Sequence, residues 1–181
     1  MPSSNPLTDE ELLLRPFRLE DASDLYCAVH ESLQELKPWM SWARDEYSEQ
    51  TARDYITIAR ARWEEHTFFA FAIVRANELL GACTLSSIHS LYRFCNLGYW
   101  VRTSCRSQGI AGRAAKLAAR FAFQRLGLVR VEIVIAVGNQ ASVRVAQKIG
   151  AHEEGILLNR IVVGQSIHDA YMYSLVPADF G

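Results

Sequence analysis

The sequence predicts a mixed α+β fold on three observations. Two early stretches carry apolar residues at helical spacing, that spacing disappears from Thr67 onward in favour of strand-like runs, and a strand, small-residue loop, helix and strand follow one another after Leu97. The chain has 181 residues, 50% hydrophobic and 22% charged, with 10 Gly and 5 Pro, the composition of a compact domain. One domain over 1–181 is expected, with residues 1–10 flexible. Nineteen Lys and Arg against twenty Asp and Glu leave a formal net charge of -1, which excludes a whole-molecule field for DNA or an anionic membrane. A bound polyanion must therefore be small and met locally. No cationic segment precedes an apolar stretch at the start, and no run approaches the roughly 18 apolar residues that span a bilayer, so a cytoplasmic location is expected. Cys27, Cys83, Cys95 and Cys105 are widely spaced without a C-x-x-C, which points to reduced thiols rather than a zinc site or a disulfide framework.

Leu12 to Arg18 reads as a short strand, with Pro16 placing it at an edge or bulge. Asp21 opens a helix whose apolar positions Ala22, Leu25, Tyr26, Val29, Leu33 and Leu36 form one stripe ending before Pro38. After the loop 37–43, a second helix runs from Ser48, an N-cap candidate, through Tyr55, Ile58, Ala59 and Trp63. Phe68 to Val74, a turn at Ala76-Asn77, Leu79 to Ile88 and Phe94 to Val101 read as an antiparallel meander. A third helix carries Ile110, Ala114, Leu117, Ala118, Phe121 and Leu126 on one face before Gly127 stops it. Val129 to Val137 is a β-branched strand, Gln140 to Ile149 a short helix closed by Gly150, and Ile156 to Val163 and Ile167 to Val176 are strands meeting at Gly164.

The most informative stretch is the loop Arg106-Ser107-Gln108-Gly109-Ile110-Ala111-Gly112 between a strand and a helix. Small residues let main-chain N–H groups approach a ligand, and the positive end of the helix dipole adds to them, so the loop suits an anion such as pyrophosphate. The competing reading is that the glycines only permit tight helix-strand packing. The loop lacks G-x-x-x-x-G-K-[ST] and departs from G-x-G-x-x-G, which weakens ATP and dinucleotide readings. Arg113, Lys116 and Arg120 follow at helical spacing, either beside further phosphates or as a solvated cationic face.

Arg106-x-x-Gly109-x-Ala111 matches the R/Q-x-x-G-x-G/A signature of the GNAT N-acetyltransferases, and the chain resembles that superfamily over nearly its whole length. Leu97-Gly98-Tyr99-Trp100-Val101, Leu126-Gly127-Leu128 with Arg130-Val131-Glu132, Asn139-x-x-Ser142 with Lys148-Ile149-Gly150, and Asp169 to Leu175 are similar to the RimJ/RimL-type branch, which includes acetylases of ribosomal-protein N-termini. The resemblance implies the GNAT fold, a mixed, mostly antiparallel sheet of about seven strands flanked by helices. It implies acetyl-CoA as donor, with its diphosphate on Arg106, Ser107, Gln108, Gly109, Ile110, Ala111 and Gly112. Its pantetheine would lie along Trp100 and Val101, where a Val101 or neighbouring N–H polarises the thioester carbonyl. Ala151, where an aromatic is usual, and Gly112-Arg113, where Thr-Glu is usual, depart from the pattern.

Acyl transfer from a thioester to an amine needs a neutral amine, a polarised carbonyl and a stabilised thiolate. Asn139 reads as a helix N-cap and Ser142 as a first-turn residue, while the resemblance has Asn139 contact the pantetheine and Ser142 donate to the leaving sulfur; the two readings are compatible. Glu132 is either a buried carboxylate acting as general base or the outward member of its strand's alternation. Without a strong base, an α-amine of pKa about 7.7 to 8.0 is a better acceptor than a lysine near 10.4. Trp39 and Trp42 form either a hydrophobic lid or, with Glu35 and Tyr99, the wall of an acceptor groove. The five histidines form no recognisable dyad, and Cys105 has no His partner in sequence. The expected function is transfer of acetyl to a primary amine, an N-terminal α-amine of a protein or peptide first, by direct attack and without a metal. A small-molecule amine (polyamine, amino acid or antibiotic), a non-catalytic acyl-CoA sensor and an interaction domain with an empty loop are the alternatives, and a homodimer stays open. No nucleic acid or membrane partner is expected.

Overall fold

The computed structural model describes residues 6–180. In chain order these form β1 (Leu7–Asp9), β2 (Leu12–Pro16), α1 (Ala22–Glu31), α2 (Leu33–Leu36), α3 (Glu49–Glu64), β3 (Phe69–Arg75), β4 (Glu78–His89), β5 (Phe94–Val101), α4 (Ile110–Gln124), β6 (Arg130–Ala136), α5 (Gln140–Lys148), β7 (His152–Val163) and β8 (Ser166–Leu175), with short 3-10 turns between some of them. The strands make one sheet in the order β1-β2-β3-β4-β5-β6-β8-β7. Every neighbouring pair is antiparallel except β5 and β6, which run parallel because α4 carries the chain across between them.

The sheet has eight strands, in keeping with the about seven expected. The additional one is β1, three residues inside the stretch 1–10 expected to be flexible, and residues 1–5 of that stretch lie outside the described residues. A strand of Leu-Thr-Asp is too short to show a period. β1 pairs with Leu12 to Leu14 and stops short of Pro16, so proline sits where no neighbour on that side needs its missing N–H. The helix read as continuous from Asp21 breaks at Ser32, whose hydroxyl donates to the Ala28 carbonyl (2.8 Å) and accepts the Thr103 N–H (3.0 Å). The apolar stripe survives the break, since Leu25, Val29, Leu33 and Leu36 are all buried. Ser48 caps α3 as predicted, accepting the Thr51 N–H at 3.2 Å.

Both faces of β3 are buried, which explains its unbroken Phe-Ala-Phe-Ala-Ile-Val run. On one face Phe69, Phe71 and Ile73 meet Phe121 and the rest of the α4 stripe. On the other, Ala70, Ala72 and Ala82 leave room for Leu25, Val29 and Ile56 of α1 and α3. Each fully buried large side chain in these layers contributes about 1.5–3 kcal/mol relative to exposure.

Two features of the sheet create the site. β5 and β6 share only the pairs Phe94–Arg130, Cys95–Val131 and Asn96–Glu132. Beyond Asn96 each strand keeps its outer neighbour, β5 with β4 as far as Val101 and β6 with β8 as far as Ala136, so a gap opens between them. At the far end of β5 the chain is clamped. Arg102 Nε donates to Glu31 (2.8 Å) and Arg102 Nη1 to Glu78 (2.9 Å), Glu31 also accepts the Ser104 N–H (2.7 Å), and the Arg102 N–H donates to the Leu80 carbonyl (2.8 Å). The Arg102 guanidinium and then the Ser104 N–H hold the Glu31 carboxyl well down, to about 2.

Gly81 faces the end of β5 so closely that a Cβ there would lie 2.2 Å from the Trp100 carbonyl oxygen and 2.8 Å from Val101 Cα. Both are main-chain atoms, so the strands must part to admit a methyl group. Gly81→Ala is expected to lower the unfolding free energy by about 1–3 kcal/mol in urea titrations. The Glu31 carboxyl, being depressed in the fold, adds stability above its ordinary value of 4.5 and loses that contribution as pH falls toward 2. Glu31→Gln should therefore be less stable than wild type at pH 7, with the difference shrinking in denaturation curves taken from pH 4.5 downward.

Candidate functional site

The gap between β5 and β6 widens into a cleft of about 490 Å³, closed on its sides by the start of α4, by α5 and by the chain after α2. Its strand wall is Tyr99, Trp100 and Val101. Antiparallel pairing alternates the direction of main-chain groups, and the Arg102 N–H points to β4, where it meets Leu80. By that alternation Trp100 also faces β4, and the amides of Val101 and Tyr99 face the side that β6 has left. Those groups have no strand partner and can pair with an extended ligand.

The second wall is the N-terminus of α4. Gly109 is its N-cap in a left-handed conformation (φ +76°), with no side-chain cap and no acidic residue in the first turn. The Arg113 N–H is the first to bond back into the helix, to the Gly109 carbonyl (3.1 Å), so the N–H groups of 109–112 lie ahead of the helical ladder. Ser107 is left-handed as well (φ +62°), an arrangement that a non-glycine residue adopts at a cost. The two glycines divide the two readings of the loop. A Cβ on Gly109 would meet nothing within 4 Å, so that glycine serves the turn, whereas a Cβ on Gly112 would lie 3.2 Å from Ile149 Cγ2, so that one serves close packing of α4 on α5.

The third wall is α5. Asn139 caps it by accepting the Ser142 N–H through Oδ1 (3.1 Å), which leaves the Asn139 amide group free, and both residues line the cleft. Ser142 Oγ has no hydrogen-bond partner among the described residues, while the Ser142 carbonyl accepts the Tyr99 hydroxyl at 3.1 Å. Tyr99 is 8% exposed, and burial first, with a nearby Cys83, pushes its phenol upward, so it stays a neutral donor that ties α5 to β5. Arg144 and Lys148 also line the cleft from α5, one helical turn apart. They escaped the sequence reading, although an i, i+4 cationic pair following Asn139 was the available signal.

The end of α2 and the chain after it make the fourth wall through Glu35, Leu36, Pro38, Trp39 and Met40. Trp39 reaches across to the turn after β6, its ring 3.5 Å from where a Gly138 Cβ would be, and packs against His168. Glu35 and Arg106 face each other at 3.8 Å, both half exposed.

Three residues chosen from the sequence lie apart from this cleft. Glu132 shares the β6 face of Arg130 and Val134, opposite the buried Val131, Ile133 and Ile135, and is paired with Arg130 at 2.9 Å, while Arg130 also grips Glu154. The outward reading of Glu132 is the one the fold adopts, and the carboxylate is occupied by its ion pair. Trp42 does not line the cleft but packs against Trp100 and Tyr47 at 6.0 Å, which makes it the hydrophobic cover of its two readings. Gln108 turns away to accept from Arg75 (3.1 Å). Arg113 is held by Asp9 and Glu11, Arg120 lies over Phe180 and Lys116 is exposed, so the α4 cations form a surface face. Cys105 is buried beside the cleft. None of the five histidines lines it. Among the described residues no group of three or more His, Cys, Asp or Glu is placed to hold a metal ion, and no helix is long and apolar enough to cross a membrane.

Comparison with known proteins agrees with this geometry. The chain is 28% identical to "Putative ribosomal N-acetyltransferase YdaF" of Bacillus subtilis (strain 168) across 173 residues that cover 95% of this chain and 94% of that protein. A crystal structure described as "Probable acetyltransferase" superposes with a TM-score of 0.90 at 27% identity, covering 98% of this chain and 99% of the other. The fold is also that of "RimL- Ribosomal L7/L12 alpha-N-protein acetyltransferase in complex with Coenzyme A", with a TM-score of 0.89 at 21% identity over 95% and 98% of the two chains. Residues 11–152 match the family described as "Acetyltransferase (GNAT) domain", and with that match across most of its length the chain belongs to the GNAT acetyltransferases.

Proposed function

We propose that this N-acetyltransferase moves the acetyl group of acetyl-CoA to the N-terminal α-amine of a protein or peptide by direct attack on the thioester. The observation that carries the reading is the convergence, in one cleft, of the uncapped start of α4 with the unpaired amides of β5 and the free Ser142 hydroxyl. The 109–112 N–H groups suit the diphosphate of coenzyme A. The amides freed on β5 suit the two amide bonds of pantetheine, and the Val101 N–H is placed to hydrogen-bond the thioester carbonyl as its oxygen gathers charge. The amine nitrogen bonds to the acetyl carbon, the C–S bond breaks with its electron pair on sulfur, and the Ser142 hydroxyl donates to that sulfur. The Asn139 amide group, left over from capping, is available to the pantetheine arm.

The acceptor half rests on charge and on the missing base. With Glu132 engaged by Arg130, the cleft-lining carboxylate is Glu35, which already faces Arg106. Against Glu35 stand Arg106, Arg144 and Lys148, so a polyamine would enter against net positive charge. An amine that arrives partly neutral needs no strong base, and water takes its proton. An α-amine is roughly a tenth neutral at pH 7, a lysine well under a thousandth. The name of the B. subtilis relative, a ribosomal N-acetyltransferase, supports the same class of acceptor.

Release of free thiol from acetyl-CoA in the presence of peptide, amino-acid and polyamine panels tests the reading. Peptides with a free N-terminus should react, and the same peptides with a blocked N-terminus and an internal lysine should not; turnover confined to polyamines would refute the proposal. For a reactive peptide, kcat/KM should rise with pH and level off near 8, following the substrate's amine. Ser142→Ala should lower kcat about 100-fold with little change in acetyl-CoA affinity. At Gly109 there is room for a side chain but φ is left-handed, which costs an L-residue about 1–2 kcal/mol. Gly109→Ala should therefore weaken acetyl-CoA binding about ten-fold by calorimetry while leaving kcat near wild type.

A further inference from the structure

We propose that a second copy of this chain docks, related by a two-fold axis, on the outer edge of β7 and the exposed apolar face of the β7–β8 hairpin. The two ends of the sheet differ. At one end β1 has three residues, too few to recruit a neighbour, and Pro16 stands in the strand beside it. At the other end β7 has twelve residues without a proline or a lysine, and among the described residues β8 is its sole strand partner. A long edge of this kind is a template for a further strand. The side chains of the hairpin point the same way. Ile156 and Val162 of β7 and Ile167 of β8 share the sheet face of Tyr171 and Tyr173, because Ile156 pairs with Tyr171 and Val162 with Ile167. They are 53%, 59% and 63% exposed, and Leu158, where the register shifts, is 78% exposed. Single exposed aliphatic side chains are ordinary, whereas four on one hairpin form a patch of the kind that marks an interface.

Geometry, charge and area each favour a second copy as the occupant. A two-fold axis sets identical edges antiparallel, so the donors and acceptors on β7 meet their own complement. The charges match head to tail. Glu153, near the start of β7, accepts the Tyr173 hydroxyl and has no cationic partner among the described residues, and Arg160, toward the end, has no acidic one. An antiparallel copy brings each Glu153 toward the half of the strand that holds the partner's Arg160. The twelve residues of β7 span about 40 Å, and a hairpin face and a sheet edge are each about 10 Å wide, giving up to roughly 800 Å² in plan, one side of a standard interface. The competing explanation is that the two register shifts of β7 blunt its edge and leave a monomer. The shift between Leu157 and Ile161, however, turns its Asn159 N–H inward to Asp169 Oδ1 (2.8 Å), and neither shift accounts for the apolar face. Docking there also bears on the cleft, because His168 of β8, opposite Ile161, packs against Trp39 of the fourth wall.

Sedimentation equilibrium of the full chain at micromolar concentration decides between them. Wild type should sediment with twice the mass of one chain. Leu158→Asp and Ile167→Asp lie at exposed positions where a charge leaves the core intact. Each sets two like charges near one another across the axis and should weaken association at least about 100-fold. Ile58→Asp, at a comparably exposed position on α3, should sediment as wild type does, and thermal melts of all three variants report whether the fold is intact. A wild type that sediments as a single chain would overturn the proposal, including the case in which the hairpin face then takes up an acceptor protein instead. Association that survives both hairpin variants would overturn it as well, since the interface would then lie elsewhere on the molecule.

Discussion

Two parallel strands that share three residue pairs and then separate leave main-chain donors and acceptors without sheet partners, and buried main-chain groups cannot stay unpaired. The parting of β5 from β6 after Asn96 therefore leaves a wall suited to an extended ligand. An extended chain carrying its own amides satisfies the strand wall, as a third strand would. Each strand is kept straight past the gap by its outer neighbour, β4 on one side and β8 on the other. The opening is thus held by the sheet itself and needs no side chain to prop it.

The anion loop depends on that opening and on its own anchors. Glu31, Arg102 and Glu78 tie the end of β5 to α1 and to the start of β4, and Ser32 takes the next N–H. A loop fixed at Arg102 and Thr103 delivers Gly109 to one place, where its left-handed turn starts α4 with four N–H groups facing outward. Ordering the loop in advance reduces what a ligand must spend on ordering it. The break between α1 and α2 belongs to the same arrangement, because the Ser32 hydroxyl that interrupts the helix is the group that holds Thr103. Gly81 completes it by letting β4 approach the Trp100 carbonyl closely enough to keep β5 in place.

What could be read from sequence follows from how local each signal is. The Ser48 cap, the Ala76-Asn77 turn and the glycine loop are written within a few residues, and the structure contains all three. Glu132 could not be assigned, since its orientation depends on strand phase and its partner Arg130 is in turn held by Glu154, 24 residues away in the chain and brought near by β8 pairing with both β6 and β7. The same holds for Ser32, whose second bond comes from Thr103 across the fold. Trp39 and Trp42 look alike in sequence, three residues apart in one loop, yet one reaches over the cleft to Gly138 while the other packs on Trp100 and Tyr47. Arg144 and Lys148 read as surface charge because nothing in their own helix shows that α4 begins beside it.

Charge shows why an overall value of -1 is compatible with binding a polyanion. Most arginines near the site are neutralised in pairs by acids that anchor the loop or the strands, so they contribute structure with little outward field. The field that remains comes from the helix N-terminus and from two cations on α5, all on walls of a single cleft. A ligand with phosphates at one end and an uncharged thioester at the other is oriented by that asymmetry, its charged end drawn toward α4 and α5 and its acyl end left beside Ser142 and the mouth walled by Trp39. On the proposed function, the acceptor amine enters at the acyl end of the donor and loses its proton to water before its nitrogen attacks.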